Sequence, residues 1–170
     1  PSIFVKAPVK GEQGTFFLVW TTTPWTLISN VALAVHPDVE YVKVRHGAER
    51  LIIAEARLQV LDGEYEILER FRGSALSGKE YDRFFSYHAV DARAFCVMEA
   101  DFVTTADGSG IVHMAPAYGE DDYQASRRHH LPTIHPVDKS GKFGPEVTEF
   151  AGLFVKAADP LIIKNLKERN

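Results

Sequence analysis

The sequence contains a single cysteine and no long apolar run, and both shortages restrict what the chain can be. Cys96 is the one cysteine among 170 residues, so no disulfide can form within the chain and nothing favours an oxidising compartment. A transmembrane helix needs about 18 to 20 consecutive apolar residues, and no run in this sequence approaches that length. The first residues also lack the charged start and apolar middle of a secretory signal. We therefore expect a cytoplasmic protein that does not bind membranes.

The sequence also lacks a basic excess. Its 19 lysines and arginines are outnumbered by 23 aspartates and glutamates, which gives a formal net charge of −4. A domain that binds nucleic acid unaided is expected to be basic, because neutralisation of phosphates provides most of the affinity. If the ligand of this chain includes RNA, most of that RNA must therefore be held elsewhere.

Length and composition fit one globular domain that spans residues 1–170. Hydrophobic residues make up 45% of the chain and charged residues 25%, which is the balance of a soluble globular protein. A chain of this length can bury a core without help from metals or disulfides. The sequence opens with Pro1 rather than methionine, within what reads as a short strand. We therefore expect a single domain excised from a larger protein.

The pattern of apolar residues predicts many short strands and few helices. Residues 16–20 form a continuous apolar run of strand length, and residues 41–53 read as a hairpin around a central glycine. Residues 119–129 begin with acidic and end with basic side chains, which is the charge order of a helix. Asp159 and Pro160 read as the N-cap and first residue of a closing helix. The fold class we predict is mainly β with peripheral helices (α+β), built as a β-barrel.

The first segment with chemical potential is the threonine-rich stretch Trp-Thr-Thr-Thr-Pro-Trp-Thr at residues 20–26. Thr23 followed by Pro24 predicts an N-cap and the first position of a short helix directly after a strand. That structural role alone would account for a single Thr-Pro pair. Three consecutive threonines also place several hydroxyls and free backbone N–H groups at a strand end, where a carbonyl or a ribose could be held.

The second segment runs from Gly108 to Tyr123. It is not a dinucleotide-binding loop, because His113 occupies the position of the third glycine, and the chain has no phosphate-binding Gly-Lys-Ser/Thr motif. His113 at a strand end fits either a buried core histidine or a functional residue. Asp122 in the first turn of a helix fits either stabilisation of the helix dipole or ligand binding.

Other catalytic patterns are missing. The histidines at 129, 130 and 135 have neither a cysteine pair nor a His-Glu-x-x-His motif beside them, so we expect no metal. Cys96 lies within a predicted strand and reads as a core residue. The chain has no Gly-x-Ser-x-Gly nucleophile motif. We expect no cofactor and no covalent nucleophile.

Taken together, residues 20–27, 30–32, 35–37 and 108–123 resemble the connective-peptide editing domain of class I aminoacyl-tRNA synthetases. The resemblance covers essentially the whole chain. Valyl and leucyl enzymes of this family typically have arginine and an acid where this chain has Thr23 and Trp25, and valyl enzymes usually have lysine at the position of His113. The isoleucyl pattern therefore fits best. Two departures are Ser109 in place of a common threonine and Ile28-Ser29 in place of the usual proline, and the second is expected to shift the following short helix slightly.

The resemblance implies a hydrolytic function in proofreading. It implies that the domain removes valine from mischarged valyl-tRNA(Ile), with valyl-adenylate as a further candidate substrate, and that a positioned water attacks the ester. Thr22, Thr23 and Asp122 take the catalytic positions. The chain has none of the motifs of a synthetase's ATP-dependent ligase site, so those functions belong to the remainder of the parent synthetase.

The same resemblance assigns the binding residues. Thr21, Trp25 and His113 would contact the substrate together with Asp122, which would hold the α-ammonium group. His113 would line the side-chain pocket and exclude isoleucine, and Trp25 would form a wall. The expected partners are the 3′ end of tRNA(Ile) carrying valine and the rest of the synthetase, and we expect the domain to be a monomer.

Two other functions are compatible with the sequence. The chain could be a valyl-type editing domain that clears threonine, in which case its pocket should offer a polar group to the threonine hydroxyl. It could also be a non-hydrolytic module that binds an aminoacyl-adenosine or an RNA end. Measured turnover of valyl and threonyl esters would distinguish these alternatives.

Overall fold

The structure is a computed structural model that describes residues 2–90 and 93–169. Within these ranges the chain forms eight strands: β1 (Ile3–Pro8), β2 (Thr15–Thr21), β3 (Ala32–Val35), β4 (Glu40–His46), β5 (Glu49–Ala54), β6 (Glu66–Arg72), β7 (Cys96–Glu99) and β8 (Val112–Met114). It also forms two α-helices, α1 (Glu120–His129) and α2 (Val155–Glu168), and three 3-10 helices at Pro24–Ser29, Glu55–Val60 and Gly73–Leu76.

The strands form one mixed sheet in the order β6-β4-β5-β2-β8-β3-β7, and β1 pairs with the other side of β2. β2 is the branching strand of this sheet. Its first half, Thr15–Phe17, pairs with β5, and its second half pairs with β8 through Trp20 and Val112. β1 runs antiparallel to β2 along its whole length. The apolar run predicted as a strand therefore lies at the centre of the sheet, where both of its edges are hydrogen-bonded.

The sheet curls into a half-barrel because residues 78–82 bridge the strands β1 and β7. The backbone N–H of Asp82 donates to the carbonyl of Pro8, the last residue of β1, at 2.9 Å. The N–H of Val97 donates to the carbonyl of Lys79 at 2.8 Å. These bonds satisfy backbone groups that an open sheet edge would leave unpaired. The predicted β-rich fold with peripheral helices is confirmed.

The core fills the inside of this curled sheet. Phe17 and Val19, which alternate along β2, are fully buried, and they pack in one cluster with Ile52 from β5 and Ile111 just before β8. Alternation along a strand sends every second side chain to the same face. The end of β2 is thereby fixed against the core, and the threonine stretch begins where the strand leaves it.

The helix boundaries agree with the sequence at α1 and differ at α2. Helix α1 begins after Gly119, as its charge order predicts. Helix α2 begins at Val155, so the prediction that Asp159 and Pro160 open it is wrong. Asp159 does act as a cap, but its carboxylate accepts a hydrogen bond from the backbone N–H of Trp25 at 2.9 Å, in a different helix. Pro160 lies inside α2.

Among the residues that the structure describes, no helix combines the length and the apolar character needed to cross a membrane.

Candidate functional site

The two segments singled out by the sequence meet across one cavity of about 220 Å³. They come together because β2 and β8 are neighbours in the sheet, with Trp20 opposite Val112. The cavity therefore lies where the C-terminal end of β2 faces the loop that leads from β8 to α1. The residues that line it are Trp20, Thr21, Thr22, Thr23, Thr26, Val112, His113, Ala115, Tyr118 and Asp122.

The threonines at the end of β2 form a tight turn with graded exposure. Thr21 is buried, Thr23 is half-buried and Thr22 is exposed. The N–H of Thr23 donates to Oγ1 of Thr21 at 3.1 Å, which closes the turn locally. Thr23 occupies the predicted N-cap position, but the carboxylate of Asp159 rather than its own side chain accepts the hydrogen bond from Trp25. The Thr23 hydroxyl is instead directed to the hydroxyl of Thr26, 2.9 Å away.

His113 lies at the floor of the cavity, 7% exposed, and both of its ring nitrogens have protein partners. Nε2 is 2.8 Å from Oγ1 of Thr26, and Nδ1 is 3.3 Å from Nδ2 of Asn30. The hydroxyl of Tyr81 donates in turn to Oδ1 of Asn30. Burial lowers the pKa of His113 to about 4, so the ring is neutral near pH 7.

Asp122 lies on the opposite side of the cavity, in the first turn of α1, and is half-buried. Its Oδ2 accepts a hydrogen bond from the N–H of Ala115 at 2.9 Å. Within the described residues its Oδ1 has no hydrogen-bond partner. Burial raises the pKa of this carboxyl, the bond from Ala115 opposes that change, and the neighbouring Asp121 adds to it. The bond from Ala115 occupies one carboxyl oxygen, and the other is available to a ligand.

Tyr118, which belongs to the second segment but was not predicted as a site residue, forms a wall of the cavity. The ring of Trp25 meets the ring of Tyr118 edge-on, with 4.8 Å between the ring centroids. Trp25 itself is not among the residues that line the cavity in the described part of the chain. Its role in substrate binding stays a prediction, and the contact that the structure shows is the one between its ring and that of Tyr118.

Three further residues of the site were not predicted. Thr26 is the last residue of the threonine-rich stretch, and Asn30 follows it by four positions. The spacing of three between Thr23 and Thr26 is the repeat of a 3-10 helix, so the sequence did indicate that these two side chains lie close together. Tyr81 comes from the segment that bridges β1 and β7, which carries no recognisable motif. Only the folded chain shows its contact with Asn30.

Among the residues that the structure describes, no group of three or more histidine, cysteine, aspartate or glutamate side chains could hold a metal ion. Cys96 is buried in β7, as expected for a core residue.

Comparison with solved structures defines the class of domain to which this fold belongs. The crystal structure of GlLeuRS-CP1 superposes with a TM-score of 0.76 at 15% identity, covering 100% of this chain and 97% of that one. The editing domain of the cytosolic leucyl-tRNA synthetase of P. falciparum gives a TM-score of 0.75 at 10% identity, covering 99% of this chain and 96% of that chain. The chain therefore has the fold of a synthetase editing domain.

Sequence relatives narrow this class to one family, although no family model matches the chain. The isoleucine–tRNA ligase of Clostridium acetobutylicum is 52% identical over 165 residues, which cover 97% of this chain and 16% of that protein. The corresponding enzyme of Thermoplasma volcanium is 42% identical over 167 residues, again 16% of its length. The chain belongs to the isoleucine–tRNA ligase family and spans about a sixth of the length of these relatives.

Proposed function

We propose that this domain hydrolyses the ester of mischarged valyl-tRNA(Ile), and so performs post-transfer editing for an isoleucyl-tRNA synthetase. The observation that carries the proposal is the cavity in which the carboxylate of Asp122 faces the threonine turn of Thr21, Thr22 and Thr23. An aminoacyl ester has a cationic amine on one side of its carbonyl and a ribose on the other. The cavity offers an anion to the first and hydroxyl groups to the second.

The amine is held by Asp122. A charge-assisted hydrogen bond to an ammonium group is about twice as strong as a neutral one, and it fixes orientation as well as position. The carboxylate is anchored by the N–H of Ala115 through one oxygen, which leaves the other oxygen for the ligand. Its place at the start of α1 also favours the ionised form.

Size selection explains why such a second site is needed. A pocket that accepts isoleucine can reject valine, one methylene smaller, by only about 1–3 kcal/mol, and the isoleucyl enzyme is itself the usual example of this limit. A smaller cavity that admits valine and excludes isoleucine reverses the preference. His113 limits the cavity at its floor, where the ring is fixed by bonds to Thr26 and Asn30.

The polar groups of the floor support valine rather than threonine as the substrate side chain. A threonine-clearing site should present an unpaired polar atom to the threonine hydroxyl. Both ring nitrogens of His113 and the hydroxyl of Thr26 are instead engaged within the protein. The remaining surface near the floor includes the apolar side chains of Val112 and Ala115.

Hydrolysis proceeds by attack of water on the ester carbonyl. The oxygen of water bonds to the carbonyl carbon, the ester C–O bond breaks, and the terminal ribose hydroxyl leaves with a proton, releasing free valine. Thr22 and Thr23 orient the ribose and the carbonyl, and orientation of this kind can supply a large part of a rate enhancement. Valyl-adenylate presents the same amine and carbonyl and is a second candidate substrate.

The partners of this activity follow from the small size and acidity of the domain. With a net charge of −4, the domain receives only the 3′ end of tRNA(Ile), while the rest of the synthetase holds the tRNA body. We infer that the parent enzyme works in the cytoplasm and that the domain itself is monomeric.

A deacylation assay with three substrates tests the proposal. The 170-residue chain is incubated with valyl-, isoleucyl- and threonyl-tRNA(Ile), and the ester remaining is measured over time. We expect valyl-tRNA(Ile) to be cleaved fastest and isoleucyl-tRNA(Ile) to persist. Faster loss of the threonyl ester would identify a threonine-clearing site, and tight binding of a non-hydrolysable valyl-adenosine without any turnover would identify a binding module.

A further inference from the structure

A second cavity, of about 390 Å³, adjoins the one in which Asp122 faces the threonine turn. The first is the ester cavity, and the second, lined by residues 116–120, Tyr123, Thr133 and His135, is the side cavity. Tyr118 lines both of them. The hydrolysis proposed above takes place in the ester cavity and leaves the side cavity without a role.

Three rings from different parts of the chain line the side cavity. Tyr118 comes from the loop before α1, Tyr123 from α1 itself and His135 from the segment that follows α1. Tyr118 is 37% exposed and Tyr123 is 40% exposed. Large side chains with apolar faces that stay exposed beside one another commonly mark a binding surface.

The ring of Tyr118 is held in place by contacts within the protein. Trp25 meets it edge-on, with 4.8 Å between the ring centroids, and His135 meets it edge-on at 6.4 Å. The backbone N–H of Tyr118 donates to the carbonyl of Ala115 at 2.9 Å, which fixes the turn that carries the ring. A side chain that is already ordered loses little conformational freedom when a ligand binds.

The lining of the side cavity suits a nucleobase better than a phosphate. Bases of single-stranded RNA stack on aromatic side chains, and every base has a flat face, so such stacking tolerates any sequence. The described residues that line this cavity include no lysine or arginine, and Glu120 among them is acidic. The aromatic rings therefore offer a surface to a base, whereas a phosphate would find no cation there.

The position of the side cavity indicates which base it receives. When the terminal ribose lies in the ester cavity, the preceding nucleotide of the same strand must leave that cavity across its rim. Because Tyr118 lines both cavities, a strand that crosses this side chain passes from one cavity into the other. The nucleotide next to the terminal one is thus the one whose base can reach the side cavity.

Cations for the phosphates that follow lie further along α1. Arg127 and Arg128 are exposed in the last turn of this helix. Nη1 of Arg127 is 3.4 Å from the hydroxyl of Tyr123, so a positive charge adjoins one ring of the side cavity. Positive charge along the path of a strand attracts its phosphates whatever the base sequence.

We propose that the side cavity binds the base that precedes the terminal nucleotide of the tRNA 3′ end, by stacking on Tyr118 and Tyr123. This inference rests on the proposed function, because the terminal nucleotide must first occupy the ester cavity. Valyl-adenylate has no preceding nucleotide and gains nothing from the side cavity. The contact therefore favours valyl-tRNA over the adenylate as the bound substrate.

Calorimetric titration of the 170-residue chain with three analogues tests the proposal. In each analogue, valine is joined to 3′-amino-3′-deoxyadenosine through an amide, which resists hydrolysis. The first is this valyl-nucleoside alone, the second carries a cytidine nucleotide on its 5′ side, and the third carries an abasic ribose phosphate there. We expect the second to bind about tenfold more tightly than the third, as stacking of one base would give. Equal affinities for the second and third analogues overturn the proposal.

Replacing Tyr123 tests where the base lies. Tyr123 lines the side cavity but not the ester cavity in the described part of the chain. We expect Tyr123→Ala to reduce the tenfold advantage of the second analogue over the third to less than about threefold. Tyr123→Phe keeps the ring and should retain the advantage. If Tyr123→Ala keeps the full advantage, the proposal is wrong, and the exposed rings serve a contact with another part of the synthetase.

Tyr65→Ala is the matched control. Tyr65 is 41% exposed and lies outside both cavities, so this variant also removes an exposed tyrosine ring. We expect it to keep the tenfold advantage of the second analogue, and loss of the advantage in this variant counts against a specific site.

The same titrations separate this inference from the proposed function. Turnover of valyl-tRNA(Ile) together with equal affinities for the second and third analogues refutes the side-cavity site alone. A clear preference for the second analogue without any turnover of valyl-tRNA(Ile) refutes the proposed hydrolysis alone. If none of the three analogues binds, both proposals fail.

Discussion

The floor and the rim of the cavity are built from similar residues that are used in opposite ways. At the floor, Thr26 and His113 are buried and every polar side-chain atom has a partner within the protein. At the rim, Thr22 is exposed, and Asp122 is held through only one of its two oxygens within the described residues. A buried polar group must be satisfied internally, since leaving it unpaired costs about 1–3 kcal/mol. The floor therefore defines shape, and the rim retains the capacity to bind.

The largest expected effect is a loss of activity, without a loss of stability, when Asp122 at the rim is replaced. Asp122→Asn keeps the shape of the side chain and removes its charge, so the ammonium group loses its anchor. We expect the deacylation rate for valyl-tRNA(Ile) to fall by at least about 30-fold, because losing one partner of a hydrogen-bonded charge pair costs about 2–5 kcal/mol. The free energy of unfolding in urea should change little.

Asp121→Asn is the control for this change. It removes the same charge from the adjacent, exposed position of the same helix turn. Its deacylation rate should stay within about twofold of wild type. Equal rates for Asp122→Asn and wild type would show that the carboxylate is not the anchor.

The second prediction concerns the floor and should affect both stability and specificity. His113→Ala enlarges the cavity and leaves the side chains of Thr26 and Asn30 without their partner. We expect the free energy of unfolding to fall by about 3–5 kcal/mol, from two unpaired buried groups and lost packing. Isoleucyl-tRNA(Ile) should become a substrate in the deacylation assay.

His46→Ala, on β4 and outside the cavity, should leave the preference for valine unchanged. If His113→Ala folds and still spares isoleucyl-tRNA(Ile), the floor does not act as the size filter.

The third prediction is the contribution of the floor histidine to the dependence of stability on pH. The pKa of His113 is lowered from 6.5 to about 4, so between these values the unfolded chain binds a proton that the folded chain does not. The free energy of unfolding should therefore decrease as the pH falls from about 6.5 to about 4, by about 3 kcal/mol for this residue. Urea titrations of wild type and His113→Gln across that range measure the difference.

For Asp122, at the rim, the change of unfolding free energy with pH has the opposite sign. The raised pKa of Asp122 makes the folded chain bind more protons than the unfolded chain, so its contribution increases as the solution becomes more acidic. This contribution is common to wild type and His113→Gln, so it cancels in the comparison. Parallel curves for the two proteins would contradict the buried, neutral state of His113.

The smallest expected effect comes from replacing Asp159, which contacts the short helix that follows the threonine turn. Asp159→Ala removes the carboxylate that caps the helix at Pro24–Ser29 through the N–H of Trp25. Loss of such a cap costs about 1 kcal/mol, and we expect that decrease in unfolding free energy with a few-fold lower deacylation rate. Glu168→Ala, at the exposed end of the same helix α2, should change stability by less than about 0.5 kcal/mol.

The sequence predicted what is local and missed what depends on distant contacts. The buried strand at β2, the hairpin of β4 and β5 and the charge order of α1 each follow from neighbouring residues, and the structure confirms them. The two motifs also identified the segments that meet at the cavity. The bond between Trp25 and Asp159 joins residues 134 positions apart. In a sequence, an Asp-Pro pair predicts a cap of the helix that directly follows it, so the cap of a distant helix could not be predicted.

The polar floor was beyond sequence reasoning for the same reason. Tyr81 and Asn30 are separated by 51 positions, and neither carries a pattern that predicts the other. Their contact requires residues 78–82 to bridge β1 and β7, which is a property of the closed fold. The roles assigned to Thr21, Thr22, Thr23, Trp25, His113 and Asp122 remain predictions that the experiments above address.

The pairing of β2 with both β5 and β8 has a consequence for how the protein folds. This strand joins β5, about 35 positions further along the chain, with one half, and β8, about 90 positions further, with the other. The threonine turn and the helix start that face each other are therefore apart until these distant pairings exist. A partly synthesised or locally unfolded chain should have no hydrolytic activity at all, and the appearance of activity during refolding should coincide with completion of the whole sheet.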